Sequence, residues 1–407
     1  MSGRWLSIIG IGEDGRAGLS TSAIALVEAA GLVIGGRRHL DLFGPTRGEQ
    51  RVWPVPLDAA VPDIVARRGT PVAVLASGDP FWYGAGVTLG RSIPAEEMLV
   101  VPAPSSLSLA ASRMGWALQD TVTLGLNMRG LTPLLRRHLH HGRKLLALSL
   151  NGETPQEVAA LLNGAGFGPT RLTVLEALGG SGERIRSATA KHFDLADIGP
   201  LNIIAADIIA GPDAKPIPYA CGLPDCMFEN DGQLTKREIR AITVSALAPS
   251  PGELLWDIGL GSGSVAIEWL LAHPANRAIG LERDPERAVR AARNAITLGV
   301  PHLDVRTGSA PSAMSGLPTP DAIFIGGGAS GAGVIANAWA ALKPGGRIAV
   351  NGVTFETESA LIGAHAKYGG ALIRIGIERA EAIGSKSGWR PAMPVIQWAA
   401  RKPGLLS

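Results

Sequence analysis

Short apolar runs alternate with helical patterns along the whole chain. In the first half Leu6–Ile9, Leu32–Ile34, Val72–Leu75, Met98–Val101 and Lys144–Leu148 read as strands, and Ala23–Ala30 has helical spacing between the first two. The second half repeats the rhythm more cleanly, with strands at Leu254–Asp257, Ala278–Glu282, Asp304–Thr307, Ala322–Ile325 and Arg347–Asn351. Helical stretches Val265–Leu271, Pro285–Leu298 and Val334–Leu342 separate them. Strands that read as continuous apolar runs are buried on both faces, and their alternation with helices predicts βαβ units around a mostly parallel sheet. The predicted fold class is α/β.

A chain of 407 residues is long for a single core, since domains usually run to roughly 100–200 residues. Between the halves lies GPDAKPIPYACGLPD, where Pro212, Pro216, Pro218 and Pro224 forbid a regular helix or a central strand. The expected organisation is therefore a domain over 1–211, a linker over 212–228 and a second domain over 229–407. Thr235 precedes Lys236–Arg237–Glu238 and is the predicted N-cap of a helix running to about Leu247.

Composition narrows the class. An apolar fraction of 46% and a charged fraction of 18% are those of a globular protein. The net charge of +3 argues against a nucleic-acid coat and suits an enzyme that holds an anionic small molecule through a few local cations. Cys221 and Cys226 are the only cysteines. With no second CxxC or His pair they read as free thiols, and no metal is expected. His138, His140 and His141 sit in RRHLHHGRK, which reads as a solvated basic helix end. The apolar start is interrupted at Gly10, Gly12 and Glu13–Asp14, too early for a signal peptide or a membrane span, so a cytoplasmic protein is expected.

The strongest chemical signal is LLWDIGLGSGSVAIEWLL, residues 254–271. An apolar strand ends at Asp257, a loop carries Gly259, Gly261 and Gly263, and an apolar helix follows. Such glycines permit a tight turn and close approach of a ligand to the backbone. Glu282 stands 25 positions after Asp257, at the tip of the next strand, where an acid can accept hydrogen bonds from ribose hydroxyls. The spacing is not the GxGxxG that brings a helix N-terminus onto a pyrophosphate. Asp257 would moreover repel a diphosphate, whereas a sulfonium ligand with a free amino group tolerates it. With GSAPSAM (308–314), DAIFIGGG (321–328) and LKPGGRIAVNGV (342–353), the ordered set resembles the class I S-adenosylmethionine methyltransferases. In place of the Asn/Asp-Pro-Pro-aromatic motif of base and amide N-methyltransferases stands Gly326–Gly327–Gly328. That loop, with DGQLTKREIRA (231–241), is similar to the decarboxylating precorrin methyltransferases.

The first half carries a different signature. VAVLASGDPFWYGAG (72–86) runs a buried strand into Ser77–Gly78–Asp79–Pro80, with a helix expected from about Phe81–Tyr83. VVPAPSSLSLAASRMG (100–115) gives a strand, a turn and a helix capped near Ser105–Ser106. These segments resemble the tetrapyrrole methylase superfamily, the class III methyltransferases, over about the first 205 residues.

Together the resemblances imply a two-lobed tetrapyrrole methylase domain followed by a Rossmann-like class I methyltransferase domain. They imply one S-adenosyl-L-methionine per domain. Implied cofactor contacts are Gly10, Gly78, Asp79, Ser105 and Ser106 in the first domain. In the second they are Thr235, Asp257, Gly259, Leu260, Gly261, Ser262, Gly263, Glu282, Ser309 and Ala310. Lys236, Arg237 and Gly327 are the candidate substrate contacts. The implied activity is methylation of an anionic tetrapyrrole, precorrin-6B, at C5 by the first domain and at C15 by the second. The second domain would also remove the ring C acetate carboxyl as CO2, giving precorrin-8X. A homo-oligomer that engages neither nucleic acid nor membrane is expected. The rival readings are an RNA methyltransferase of the tetrapyrrole methylase-like type and a non-catalytic S-adenosylmethionine sensor.

Overall fold

The computed structural model describes residues 3–404. The chain divides into two compact units. One holds the described residues up to Thr132 together with Leu139–Lys215, and the other holds Pro133–His138 and the described residues from Pro216 onward.

The first unit has two sheets. Its first lobe contains β1 (Leu6–Ile11), β2 (Leu32–Gly35), β3 (Glu49–Val52), β4 (Val72–Ser77) and β5 (Met98–Val101), with α1 (Thr21–Ala29), α2 (Arg37–Phe43), α3 (Val61–Val65) and α4 (Ala85–Leu89). The strands pair in parallel in the order β3-β2-β4-β1-β5. Alternate residues of β1 feed the two faces: Leu6 and Ile8 join one apolar cluster, Ile9 and Ile11 the other. The second lobe contains α5 (Ser106–Met114), β6 (Thr121–Gly125), β7 (Lys144–Leu148), α6 (Thr154–Gly164), β8 (Arg171–Glu176), β9 (Arg184–Thr189) and β10 (Asn202–Asp207). Its order is β6-β7-β10-β8-β9. This sheet is mixed, against the expectation of parallel strands. β10 runs antiparallel to β7 and β8, and β8 antiparallel to β9. The β8–β9 turn is a hairpin, and a hairpin needs no crossover helix.

The second unit contains α7 (Arg237–Leu247), β11 (Leu254–Ile258), α8 (Ser264–Ala272), β12 (Arg277–Glu282), α9 (Pro285–Thr297), β13 (Asp304–Thr307), β14 (Ala322–Ile325), α10 (Val334–Ala341), β15 (Arg347–Gly352), α11 (Phe355–Tyr368), β16 (Ala371–Ile375), β17 (Glu378–Ile383), β18 (Lys386–Pro391) and β19 (Val395–Arg401). Its large sheet is ordered β13-β12-β11-β14-β15-β19-β16, with β19 antiparallel to both neighbours. Leu255 and Phe324 point to the cluster under α8 and α9, while Leu254, Trp256 and Ile323 point to the cluster that includes α10 and α11 residues. Burial on both faces is why these strands read as uninterrupted apolar runs. β11 and β14 are neighbours joined to strands on opposite sides, a topological switch point that leaves a crevice at their carboxyl ends.

Four local expectations change. The segment expected as a linker packs from Pro216 onward into the second unit, since Ile217, Leu223 and Phe228 are buried in its core. The N-cap position of α7 is Lys236 rather than Thr235, with no side-chain cap bond. No helix starts at Phe81, because Tyr83 adopts a left-handed φ of 56°, and α4 begins at Ala85 behind Gly84. The histidine tract is also not a solvated helix end. It lies at the end of a 3-10 turn, with Leu135, Arg136 and Leu139 buried. Cys221 and Cys226 are free and exposed, as expected. Among the described residues no group of His, Cys, Asp and Glu could hold a metal ion, and no helix is long and apolar enough to cross a membrane.

Candidate active site

In the second unit a cavity of about 720 Å³ opens at the carboxyl ends of β11, β12 and β14, a volume within the usual range for small-molecule sites. Thr235, Lys236, Asp257, Gly259, Leu260, Gly261, Ser262, Glu282, Ser309, Ala310 and Gly327 all line it. Two candidates do not. Gly263 is the left-handed N-cap of α8, packed against Ala291. Arg237 turns away and donates from Nε to the Gly222 carbonyl at 3.0 Å.

The loop after β11 is shaped by its neighbour. A Cβ on Gly259, at φ +76°, would stand 2.8 Å from the Gly327 amide nitrogen, so the two backbones approach only because Gly259 has no side chain. Glu282 braces this loop from below. Its Oε2 accepts from the Gly261 N–H at 2.8 Å and its Oε1 from the Asp284 N–H at 3.0 Å. Each carboxylate oxygen keeps a further lone pair for a ligand hydroxyl. On the far side, segment 231–236 forms a strap. Asp231 is tied to Arg287 and Arg290 on α9, each at 2.9 Å, and the Thr235 carbonyl accepts from the Arg240 guanidinium.

Asp257 is 1% exposed. Its Oδ2 accepts from the Ala266 N–H at 3.0 Å, while Oδ1 has no partner. Burial, with the Glu282 carboxylate adding to it, pushes its pKa up to about 8, against the opposing pull of that N–H. The Ser262 hydroxyl is likewise buried without a partner. Two orphaned acceptors beside a bare glycine loop fit a ligand that brings hydrogen-bond donors and a positive charge. The positions missed by sequence reasoning, Asn351, Arg379 and Met393 among them, reach this cavity from β15, β17 and the loop between β18 and β19. No local motif marks them.

The first unit has a cavity of about 350 Å³ lined by residues of both lobes, among them Gly78, Ser105 and Ser106. Gly10 and Asp79 do not line it. A Cβ on Gly10 would lie 1.9 Å from the Gly78 carbonyl oxygen and 2.5 Å from the Ala103 nitrogen, so this glycine lets β1 touch the Gly78 loop. Asp79 accepts from the Phe81 N–H at 2.8 Å and shapes that turn. Ser105 is spent as the N-cap of α5, accepting from the Ser108 N–H at 3.1 Å. Sequence reasoning missed the opposite wall. There the Asn202 side chain donates to the carbonyls of Asn151 and Gly199, which leaves its buried Oδ1 without a partner, and the Ser149 hydroxyl is also orphaned. An apolar slot of Leu148, Leu175, Leu178 and Ile203 surrounds them. A flat heterocycle with an exocyclic amino group fits that chemistry.

At the other end of this cavity Ser77 Oγ and His39 Nε2 are 2.8 Å apart, the spacing of a nucleophile–base pair. The surroundings disqualify it. Arg38 donates to both atoms, at 3.0 and 3.1 Å, and also pairs with Glu13. Burial and the Arg38 charge push the His39 pKa down to about 4. His39 Nδ1 has no acid behind it. The group is a strut that fixes the Glu13 loop, with a neutral imidazole.

Comparison with known proteins follows the same division. Residues 6–194 match the family model described as Tetrapyrrole (Corrin/Porphyrin) Methylases, and residues 226–402 match the Precorrin methyltransferase domain. A precorrin-6Y C(5,15)-methyltransferase [decarboxylating] of Sinorhizobium sp is 55% identical over 399 residues, covering 98% of this chain and 96% of that protein. A probable cobalt-precorrin-6B C(15)-methyltransferase (decarboxylating) of Saccharolobus solfataricus is 34% identical over 36% of this chain and 77% of its own length. A cobalt-precorrin-7 C(5)-methyltransferase of Salmonella typhimurium is 28% identical over 44% of this chain and 88% of its own.

Proposed function

The chain belongs to the family of decarboxylating precorrin-6Y C5,15-methyltransferases, and from that premise we propose that it converts precorrin-6B to precorrin-8X by two methyl transfers and one loss of CO2. The end-to-end likeness at 55% identity carries this reading. In the division of labour we infer, the first unit methylates C5 and the second methylates C15 and decarboxylates the ring C acetate. Relatives named separately for the C15 and C5 reactions, each matched by under half of the chain, support two separable activities. One cofactor per unit is supported by two cavities that each hold orphaned buried acceptors.

S-adenosyl-L-methionine supplies a methyl group on a positively charged sulfur. Asp257 and Ser262 in the second unit, and Asn202 and Ser149 in the first, are placed to accept its donors. The glycine loops let it lie against the backbone. A meso carbon flanked by pyrrole-type nitrogens is already nucleophilic, so the chain's residues chiefly align that carbon with the methyl, an effect worth up to roughly 7–11 kcal/mol. Formation of the new C–C bond releases the meso proton, while loss of CO2 moves the pair of the broken C–C bond into the conjugated ring system and uptake of one proton at the former methylene completes the methyl group. The open loop at Gly327–Gly328 leaves space for the macrocycle, and Lys236 in the same cavity is a candidate carboxylate contact.

A cytoplasmic location suits a biosynthetic enzyme of this kind. The expected homo-oligomer is supported by the β17–β18 hairpin. It is an isolated two-stranded sheet, exposed on nearly every residue, with Ile383 64% and Trp389 71% exposed. Such a ribbon is marginal in water alone, and the matching edge of a second copy would complete it. No relative described above favours the RNA methyltransferase alternative.

The test is mass spectrometry of precorrin-6B incubated with the chain and cofactor, where two added methyl groups and one lost CO2 are expected. Glu282→Ala should weaken cofactor binding in the second unit about tenfold, as charge-assisted hydrogen bonds are lost. At limiting cofactor CO2 release should fall in proportion. Unchanged CO2 release in this variant would overturn the placement of that chemistry in the second unit.

A further inference from the structure

Three aromatic residues stand in a row at Phe81, Trp82 and Tyr83, and all are close to half exposed, at 46%, 50% and 53%. A folded chain rarely leaves such a contiguous apolar group in water without a ligand for it. Phe81 has a local task, since its ring packs against Gly86 and Gly90. Trp82 has none of that kind, and Tyr83 packs on Gly125 at the end of β6. Both line the cavity of the first unit, and their rings meet edge to face with centroids 6.3 Å apart. The Trp82 indole N–H has no partner among the described residues.

The backbone is bent to place them there. Tyr83 holds φ at 56°, a conformation that bulky side chains rarely adopt and that tends to persist where function needs it. Asp79 fixes the turn ahead of it through the Phe81 N–H. Across the cleft the end of β6 makes room, because a Cβ on Gly125 would stand 2.9 Å from the Tyr83 ring. The second lobe is thus cut to receive this side chain, and Trp82 is left as a free aromatic face at the cavity.

We propose that Trp82, held in place by Tyr83, is the seat on which the flat conjugated macrocycle stacks for the methyl transfer of the first unit. The inference rests on the reading that this unit acts on a tetrapyrrole at C5. Stacking on an aromatic side chain is tolerant of ring substituents and contributes enough to shift affinity about tenfold or more. It aligns the plane of the ring rather than touching the reacting atoms, so Trp82 is a positioning residue.

The experiment uses the full chain and, as substrate, the precorrin already decarboxylated and methylated at C15, so that only the C5 reaction is read. Trp82→Ala should raise KM for this substrate about tenfold or more, with kcat at saturation within about threefold of wild type. Its affinity for S-adenosylhomocysteine, measured by calorimetry, should not change. Trp82→Phe keeps an aromatic face and should recover most of the loss, which a merely structural defect would not permit. A KM for Trp82→Ala within about twofold of wild type overturns the seat while leaving the C5 reading intact. A wild-type chain that fails to methylate this substrate overturns both.

Discussion

Replacing Arg240 by Met should cost the second unit about 3–5 kcal/mol, the loss expected when one partner of a buried ion pair is removed. Arg240 is wholly buried on α7. Its Nε donates to Glu268 Oε1 at 2.5 Å, and its other nitrogens bond Asp225 and the carbonyls of Thr235 and Leu223. The Phe228 ring lies 4.6 Å from the guanidinium carbon. Glu268, 4% exposed on α8, also accepts from the Gly222 and Leu223 N–H groups at 2.7 and 2.8 Å. Without Arg240 that carboxylate stays buried with two amide donors and no cation. Arg240→Lys should not rescue the fold, because one ammonium cannot reach four acceptors in the guanidinium's planar pattern. The paired change Arg240→Met with Glu268→Leu should cost far less than the sum of the single changes, since the desolvated charge disappears with its partner. Urea unfolding followed on the second unit is the measurement. A loss below about 1 kcal/mol in the single variant would contradict this account.

Cofactor affinity in the second unit should rise about fiftyfold from pH 6 to pH 8. With its pKa near 8 when the cavity holds no cofactor, Asp257 is almost wholly protonated at pH 6 and half protonated at pH 8. A cationic ligand requires the carboxylate, so binding expels a proton, and affinity gains about tenfold per pH unit below 8. Stability without cofactor moves the other way. The folded pKa lies above the unfolded value of 3.8, so the contribution of Asp257 is full below about pH 3.8 and declines as pH rises through about 8. Asp257→Asn should bind weakly and with no pH dependence between 6 and 8. The first unit is an internal control, since His39, held near 4, stays neutral across the window. Calorimetry at both pH values decides. Equal affinity of the second site at pH 6 and 8 would show that Asp257 does not pair with the cofactor.

Much of the molecule was legible in the residue order. The β5, β7 and β14 spans match the apolar runs residue for residue, because strands packed on both faces leave an uninterrupted signal. The Asp257–Gly263 loop and Glu282 were legible for a related reason. A tight turn at a strand end and an acid at the next strand tip are set by neighbours in the chain, and the fold brings them together across only 25 positions. β9, β17 and β18 were not legible, since exposed strands such as RIRSAT and KSGWRP carry no apolar run.

What only the tertiary structure decided involves partners distant in sequence. Asp79 reads like a ligand contact but is consumed by its own turn, and Gly10 is needed for the backbone of Gly78 rather than for a cofactor. Arg237 and Arg240 look alike as basic residues at the start of a helix. One faces the Gly222 carbonyl near the surface, and the other is sealed in a charge network with Glu268, 28 positions away. Asn202 and Ser149 gave no signal, because an acceptor counts as orphaned only once every neighbour that might satisfy it has been placed. Sequence spacing determines which groups can meet within one βα unit. Whether a polar atom is satisfied by the protein or left for a ligand depends on packing between strands and helices far apart in the chain, and only the folded structure determines that.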